Sequence, residues 1–416
     1  MSVAGLRVVG ALAMALIISQ FFRSANAALA PVLMPDLGLG PGHLGLASGA
    51  FFLSFALMQL PVGVALDRFG PRRVVSSLLL VAVVGALAFS VADSLGTLIL
   101  AEALIGIGCS GTFVGGMVAI ARWFRPHQFA TMTALVVALS HAGNLITATP
   151  LAAAIEAFGW RNVLVAVACV AASFSLLVFL LVRDAPPDHP SLARKGESLG
   201  ATLRGLGAVF RNKQLPYLLS MAFVAFPSAL TVRGLWAGPF LHDVYGLTSV
   251  ELGNALLYIS LAMIAGVLLY GPLDRLFDSR KRVALGGAFG TAALCAALAL
   301  GSALPFGMAL VLMVMLGLVG SYYVYMMPHG RALFPEQLVG RAVTTVNLST
   351  FIGTGVMQAM TGFIIEAIAT GAVPVPAEAY RAVFGFIALV TIIAALLYSR
   401  IADVRPSAER AGPRGR

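Results

Sequence analysis

The stretch that decides the fold is PVGVALDRFGPRRV, residues 61–74, because it sets a cluster of charges between two apolar runs. Apolar runs of about 20 residues are long enough to cross a bilayer. The stretch therefore predicts a tight charged turn between two membrane-spanning helices. In that turn, Gly63 would let a neighbouring backbone come close and Gly70 would supply a positive φ. The motif residues are Gly63, Asp67, Arg68, Gly70, Arg72 and Arg73.

The composition indicates a membrane protein. Of the 416 residues, 59% are hydrophobic and 11% are charged, whereas soluble domains usually have about 25% charged residues. The three cysteines (Cys109, Cys169 and Cys295) all lie inside apolar runs, which argues against structural disulfides and a metal site. The sequence also contains no nucleophile–base pair and no phosphate loop, so we expect neither an enzyme nor a bound cofactor.

The apolar runs divide the chain into two similar parts. Six runs of span length lie between residues 8 and 182, and six more lie between 217 and 399. We predict an all-α integral membrane protein of twelve transmembrane helices in two six-helix bundles. The predicted parts are an N-terminal bundle in 1–182, a linker in 183–216, a C-terminal bundle in 217–399 and a tail in 400–416.

A second charged hairpin indicates that the two parts are repeats. The stretch YGPLDRLFDSRKRV, residues 270–283, resembles the first hairpin, although Phe277 stands where the turn glycine would be. Gly38 matches Gly246 at an offset of 208 residues, and offsets of 207 to 210 hold for other pairs across the chain. Parallel repeats of this kind imply two bundles related by an axis along the membrane normal.

The basic residues predict the orientation. If the segments alternate from an inner N-terminus, Arg161 and Arg381 are the only arginines in outer segments. The positive-inside rule then makes the linker and both termini cytoplasmic. The net charge of +10 is thus a topology signal, and no nucleic-acid partner is expected. The first apolar run resembles a signal peptide, but we expect it to be retained because it is the counterpart of a later run. We expect a monomer in the inner membrane of a bacterium.

The hairpin and the architecture together resemble the major facilitator superfamily of secondary transporters. Its signature, Gly-x-x-x-Asp-Arg-x-Gly-x-Arg-Arg, is met by the six motif residues of 61–74. The resemblance implies two bundles that rock about a central site. It also implies that the hairpin acids and arginines, including Asp274 and Arg275 of the degraded second copy, form a conformational gate. The alternative is that these charges only anchor the turns.

One residue departs from the superfamily's pattern. Where an arginine often stands in the fourth helix, this chain has Glu102 in EALIGIG. Glu102 lies near the predicted outer boundary, so it could snorkel outward and have no further role. It could also be a proton-coupling site, since a carboxyl in apolar surroundings holds its proton more readily than one in water.

Two arginines inside apolar runs are the main candidates for substrate binding. Arg23 lies in the first run and Arg233 in the repeat-related seventh. A charge inside the bilayer should face a cavity or a partner, and a guanidinium can grip a carboxylate or phosphate with two hydrogen bonds. This pair is similar to the organophosphate–phosphate antiporter branch of the superfamily, in which arginines of these helices grip the phosphoryl group. The alternative is that each arginine pairs with helix carbonyls.

Other polar residues within the runs are weaker candidates, since a lone polar residue there more often joins helices than binds a ligand. His141 could also carry protons. The further substrate-binding candidates are His141, Asn144, Gln59, Tyr322 and Asn347.

The sequence thus predicts a secondary active transporter of a small organic or inorganic anion. It would work in a lipid bilayer by alternating access, with protons or a counter-anion as the coupled species. The alternatives are a carrier that exports or imports drugs or siderophores, and a transporter-like ligand sensor.

Overall fold

The computed structural model describes residues 3–124, 126–186, 209–301, 304–334 and 338–403. In this part of the chain the secondary structure is helical. Eleven of the helices are long and apolar enough to cross a membrane. One of them, Pro41–Ser90, has 50 residues and is interrupted at Gly70, where φ is 77° and ψ is 163°. It therefore counts as two spans, which gives the twelve predicted.

The first six spans comprise the following elements. The first is Val3–Ser24 followed by Asn26–Leu37, the second and third are the two parts of Pro41–Ser90, and the fourth is Leu95–Cys109 followed by Thr112–Trp123. The fifth has three helices, Pro126–Ser140, Ala142–Ile146 and Thr149–Phe158, and the sixth is Trp160–Leu181.

The last six spans have similar interruptions. The seventh comprises Leu215–Ala222, Ala225–Thr231, a π-helical turn at Val232–Trp236, and Ala237–Tyr245. The eighth is Ser249–Leu276 and the ninth is Arg280–Leu300. The tenth comprises Phe306–Gly320, a 3₁₀ segment at Ser321–Tyr325, and Met326–Ala332. The eleventh is Val339–Ala369 and the twelfth is Ala377–Tyr398.

The chain forms two compact units. The first unit consists of Met1–Leu39, Leu46–Ala201 and Ser249–Gly253, as far as these ranges are described. The second consists of Gly40–Gly45, Thr202–Thr248 and Asn254–Arg416, with the same restriction. Most of the predicted linker and tail lies outside the described residues.

Each unit has its own apolar core. In the first unit, Val9, Leu16 and Ile120 are buried together. In the second, Val209, Leu215 and Phe334 form a buried cluster. Because no water is available in lipid, the helices satisfy their own backbone groups and the close contacts come from small residues. A Cβ at Gly115, for example, would lie 2.4 Å from a Val75 methyl carbon.

The repeat is visible in the helix ends. Gly38 ends the first span with φ 61°, and its repeat mate Gly246 ends the seventh with φ 65°. Both glycines adopt the left-handed conformation that ends many helices and that other residues take at a cost. The offset of 208 residues read from the sequence therefore pairs positions with the same local structure.

Candidate functional site

The helical hydrogen bonding of the first span is interrupted at Ala25, whose torsions (φ −67°, ψ −30°) remain helical, and three polar side chains of the first unit flank this joint. One helix ends at Ser24 and the next begins at Asn26. Side chains such as Ser and Asn compete with the backbone for hydrogen bonds, and a proline inside a helix removes a donor. Pro31 and Pro35 lie in the second of these helices. The side chains of Arg23, Ser24 and Asn26 thus start from neighbouring backbone positions around Ala25.

Arg23 lies against an aromatic side chain. Its guanidinium carbon is 4.6 Å from the centroid of the Phe55 ring, and that ring stacks on Phe51 with centroids 6.2 Å apart. A cation over an aromatic face is stabilised by the ring's quadrupole without being neutralised. Phe55 thus orients the guanidinium while its positive charge is retained.

A polar chain extends from the residue next to Arg23. The Ser24 hydroxyl donates to Oδ1 of Asn144 over 2.9 Å, and Nδ2 of Asn144 lies 3.3 Å from Nδ1 of His141. His141 sits where the fifth span is interrupted, between Pro126–Ser140 and Ala142–Ile146. The structure therefore brings together two of the predicted residues, His141 and Asn144, and connects them to the joint of the first span.

Glu102 is attached to the other side of the same joint. It is 3% exposed, and its Oε1 accepts a hydrogen bond of 2.8 Å from Nδ2 of Asn26. The same amide nitrogen lies 3.1 Å from the Ser48 hydroxyl. The alternative in which Glu102 snorkels outward is therefore wrong, since the carboxyl points into the first unit. Asn26 and Ser48 were not among the predicted site residues.

Gln59 is buried between the second and fourth spans. Its Nε2 donates to the carbonyl oxygens of Phe55 and Ser110, each over 3.4 Å. These contacts join two spans through their backbones. Gln59 thus links the second and fourth spans close to Phe55, the side chain that lies under Arg23.

In the second unit, Arg233 lies in the π-helical turn of the seventh span. It is 2% exposed, and its Nε donates to the Ser260 hydroxyl over 2.9 Å. Ser260 in turn donates to the carbonyl of Leu256 over 2.7 Å. A π turn inside a helix is often found at functional sites. The seventh span thus departs from regular α-helix at its arginine, whereas the first span keeps helical torsions at Ala25, two residues after Arg23.

Tyr322 and Asn347 have different surroundings. Tyr322 is 0% exposed, and its hydroxyl lies 3.7 Å from the sulfur of Met221. Asn347 is half-buried on the eleventh span. Tyr322 therefore belongs to the packed interior of the second unit.

The first charged hairpin is held by a residue that the sequence analysis missed. Gly70 has the positive φ that was predicted, and the helix that follows it begins at Pro71. The backbone N–H of Arg72 donates to Oδ1 of Asp184 over 2.8 Å, while its Nε donates to the Phe179 carbonyl over 2.6 Å. Asp67, Arg68 and Arg73 are exposed.

The close backbone approach predicted at Gly63 was wrong. A Cβ built on Gly63 would meet no atom of the described residues within 4 Å, so no neighbouring backbone requires glycine there. Gly70 does meet a neighbour, because a Cβ on it would lie 2.4 Å from the Asp184 carboxyl carbon. The close approach predicted for the hairpin thus occurs at its turn glycine.

The second hairpin also has a residue with positive φ at its turn and an aspartate that accepts hydrogen bonds from the start of the next helix. Asp278 takes the positive φ, 45°, one residue after the position where a turn glycine was missing. Asp403 accepts from the Ser279 hydroxyl over 2.7 Å and from the Lys281 backbone N–H over 3.4 Å. Asp274 forms an ion pair of 3.3 Å with Arg280. The side chain of Arg275 lies outside the described residues.

Asp184 and Asp403 occupy equivalent places in the two units. Each follows the last span of its unit by a few residues and bonds the second backbone N–H of the helix after the hairpin. A carboxylate at this end of a helix is stabilised by the helix dipole. The only signal in the sequence is an acid shortly after the sixth and twelfth spans, Arg183-Asp184 and Ala402-Asp403.

At the opposite end of the first unit, Asp36 joins the first span to the sixth. Its Oδ2 accepts from Nε1 of Trp160 over 3.0 Å and also from Arg161. The hydrogen bonds from Arg161 and Trp160 hold the pKa of Asp36 below its usual value. This pair includes one of the two arginines that the sequence analysis placed in outer segments.

The chain was compared with protein families and with curated proteins. The family model described as Major Facilitator Superfamily matches residues 12–328 and 235–416. The chain is 24% identical over 271 residues to the probable sulfoacetate transporter SauU of Cupriavidus necator, with 62% of each chain covered. It is 30% identical over 208 residues to the nitrate/nitrite transporter NrtP of Nostoc punctiforme, with 45% of this chain and 41% of that protein covered. The chain thus spans less than two thirds of the length of these curated relatives.

A solved structure is similar over nearly the whole chain. It is a bacterial homologue of the human lysosomal transporter Spinster in an inward-facing, unoccupied conformation. The TM-score is 0.77 at 18% identity, with 96% of this chain and 97% of that chain covered. At this identity the likeness concerns the fold, and it confirms the all-α membrane architecture.

Proposed function

Because this chain belongs to the major facilitator superfamily, we propose that it is a secondary active transporter of a small anion. The anion is of the carboxylate, phosphate or related oxyanion type, and it crosses the membrane by alternating access. The observation that carries the proposal is a guanidinium group inside each of two repeat-related spans, Arg23 in the first unit and Arg233 in the second.

The electrostatic cost of these arginines supports the proposal. A charged side chain in the middle of a span costs about 2.5–3.5 kcal/mol on insertion scales, and such residues usually serve a substrate or ion pathway. A planar guanidinium offers paired donors that match the oxygens of a carboxylate, sulfonate, phosphate or nitrate. Two proteins to which the chain is similar carry names that specify anions, sulfoacetate and nitrate or nitrite.

The surroundings of Arg23 support its role in binding. Phe55 fixes the guanidinium without neutralising it, and the Ser24–Asn144–His141 chain adds polar groups nearby. We propose that Arg23 in the first unit and Arg233 in the second each supply a positive charge for the substrate, and that Asn144 and His141 of the first unit orient it. Gln59, Tyr322 and Asn347 would support the site through packing.

We propose that protons are the coupled species, with Glu102 and His141 as their carriers. Glu102 is buried and accepts a hydrogen bond from Asn26, an arrangement that a carboxyl can keep in both protonation states. Exchange for a second anion is the other mode of coupling that two substrate arginines permit.

We assign the charged hairpins a gating role. Asp67, Arg68, Arg72 and Arg73 of the first hairpin, together with Asp274 and Arg275 of the second, would steady one state of the transport cycle. The turn itself is fixed by Gly70 and Asp184, so the exposed side chains project from a rigid base. The orientation proposed has both termini in the cytoplasm of a bacterium, and the protein works as a monomer.

Uptake into proteoliposomes tests the proposal. The panel comprises radiolabelled sulfoacetate, nitrate, phosphate and a dicarboxylate, with a neutral sugar and a cationic drug for comparison. We expect uptake of at least one anion, and a roughly tenfold or greater loss in Arg23→Gln because a charge-assisted hydrogen bond contributes about 1.5–3 kcal/mol. Arg211→Gln, which changes an exposed arginine of the second unit outside both hairpins, serves as the control. Transport of only neutral or cationic solutes, unchanged in Arg23→Gln, would contradict the proposal.

A further inference from the structure

An apolar groove lies on the second unit, and neither Arg23 nor Arg233 lines it. It has a volume of about 260 Å³, and its walls expose no polar surface. The seventh span contributes Ser220, Phe223 and Val224, the eleventh contributes residues between Val356 and Met360, and the twelfth contributes residues between Phe386 and Leu397. All three spans belong to the second unit.

The groove opens to the surroundings of the protein. Met360 is 45% exposed and Ile393 is 48% exposed, so the groove is a surface channel and not a sealed cavity. Its walls are parts of spans that are long and apolar enough to cross a membrane, so hydrocarbon would surround a groove that faces the bilayer. What fills an apolar channel in that medium is an acyl chain, because the channel offers close packing and demands no hydrogen bond.

The length of the groove matches one lipid leaflet. Along the twelfth span, Phe386 and Leu397 are separated by 11 positions, or roughly 16 Å at 1.5 Å per residue. The hydrocarbon core of a bilayer is about 30 Å thick. A single acyl chain of one leaflet would therefore fill the groove along its whole length, from the headgroup region to the middle of the bilayer.

Basic residues stand at the end of the groove where a headgroup would lie. Arg400 follows Leu397 by three positions, and its backbone N–H bonds the Leu397 carbonyl over 3.1 Å, which continues the helical turn. Lys213 lies in the turn two residues before the helix Leu215–Ala222 of the seventh span, and Ser220 of that helix lines the groove. Both Arg400 and Lys213 are exposed.

The two basic residues lie on one rim. Ala402 N–H donates to Oε1 of Gln214 over 2.8 Å, so the end of the twelfth span lies beside the start of the seventh. The nearby acid, Asp403, is directed to the second hairpin, where it bonds Ser279 and Lys281. The rim is therefore positively charged at the point where the acyl channel begins.

We propose that this groove binds one anionic phospholipid, with an acyl chain along the twelfth span and the phosphate headgroup between Lys213 and Arg400. The proposal is independent of the transported substrate, since it involves neither Arg23 nor Arg233. Basic residues near an anionic headgroup strengthen lipid binding by roughly fivefold each. In the proposed orientation the lipid belongs to the cytoplasmic leaflet.

Native mass spectrometry of the full-length protein tests the proposal. The protein is released from detergent after incubation with phosphatidylglycerol or with phosphatidylcholine of identical acyl chains. We expect one phosphatidylglycerol to remain bound preferentially, and the double variant Lys213→Gln/Arg400→Gln to reduce that preference by roughly tenfold or more, from about fivefold for each residue. The matched control, Arg183→Gln, removes an exposed arginine of the first unit and should keep the preference. Equal retention of the two lipids by the native protein would overturn the assignment of an anionic headgroup.

A second pair of variants tests the groove itself. Val390 lines the channel, whereas its neighbour Leu389 is 57% exposed and does not. Val390→Trp should fill the channel and reduce retained lipid severalfold, while Leu389→Trp should leave it unchanged. Circular dichroism of each variant reports whether the fold is kept. If Val390→Trp folds and binds lipid as the native protein does, the groove is not the site.

Covalent labelling gives an independent readout. A phosphatidylglycerol with a photoreactive diazirine in its acyl chain is crosslinked to the native protein in nanodiscs, and the labelled peptides are mapped. We expect labels on the segment from Phe386 to Leu397, reduced by excess unlabelled phosphatidylglycerol but not by phosphatidylcholine. Labels spread evenly over all spans would show ordinary annular lipid and would overturn the proposal.

Discussion

The carboxylate of Asp184 accepts a hydrogen bond from the backbone N–H of Arg72 over 2.8 Å, although 112 positions separate them in the chain. The third span begins just after Gly70, so Arg72 presents one of the amide groups that a helix start leaves without an internal partner. Asp184, which follows the sixth span, thereby ties the last helix of the first unit to its charged hairpin.

This contact predicts the effect of Asp184→Ala. Removing a capping side chain costs about 0.5–2 kcal/mol, so we expect a lower free energy of unfolding with the helical content unchanged. Thermal unfolding in detergent, followed by circular dichroism, measures the difference. The matched variant Asp403→Ala should cost a similar amount, because Asp403 bonds the equivalent amide of Lys281. Stability equal to that of the native protein in both variants would refute the capping role.

Glu102→Gln tests proton coupling. Glutamine has nearly the same volume and keeps an oxygen that can accept from Asn26, but it cannot exchange a proton. We expect uptake driven by a pH gradient to fall at least tenfold, while exchange of labelled for unlabelled substrate continues. Glu156→Gln, a change at an exposed glutamate of the first unit, should behave as the native protein. Persistence of gradient-driven uptake in Glu102→Gln would exclude this residue as the carrier.

Ser260→Ala tests the positioning of Arg233. The change removes the acceptor that Nε of the buried arginine uses, and loss of a buried partner costs about 1–3 kcal/mol. We expect reduced stability and an increased KM for the anion with a smaller change in maximal rate. Ser260→Thr should restore both, and Ser173→Ala, an exposed serine, should change neither. An unaltered KM in a folded Ser260→Ala protein would show that this contact is dispensable.

The outer link between Asp36 and Arg161 predicts a pH dependence. The lowered pKa of Asp36 means that its ionised form is favoured in the folded state. The stabilisation is therefore present above the ordinary pKa of about 3.9 and is lost as the pH falls through the lower folded-state pKa. Comparison of Asp36→Asn with the native protein should show a difference in thermal stability at pH 6 that shrinks below about pH 4. A difference that stays constant over this range would contradict the explanation.

Much of the fold could be predicted because it rests on local patterns. Spans follow from the length of apolar runs, and the turn at Gly70 follows from a glycine placed among charges. The repeat offset correctly paired Gly38 with Gly246, since both end a helix in the left-handed conformation. The all-α membrane fold is confirmed for these reasons.

The details of the site depend on tertiary contacts that no local pattern encodes. Glu102 could point outward or inward from its position in the span, and only the partner Asn26, 76 positions away, decides between them. Asp184 and Asp403 lie beyond the spans in stretches that resemble ordinary polar connections. Gly63 was assigned a close contact from its place in the motif, but the structure leaves open space beside it.

The joint at Ala25 has a mechanical consequence. The helix before it carries Arg23 and Ser24, the latter bonded to Asn144, and the helix after it begins with Asn26, bonded to Glu102. Ala25 keeps helical torsions, so both networks are attached to neighbouring positions of one helical segment and would shift together when that segment moves. A displacement of this segment would therefore act on Asn144 and Glu102 at the same time.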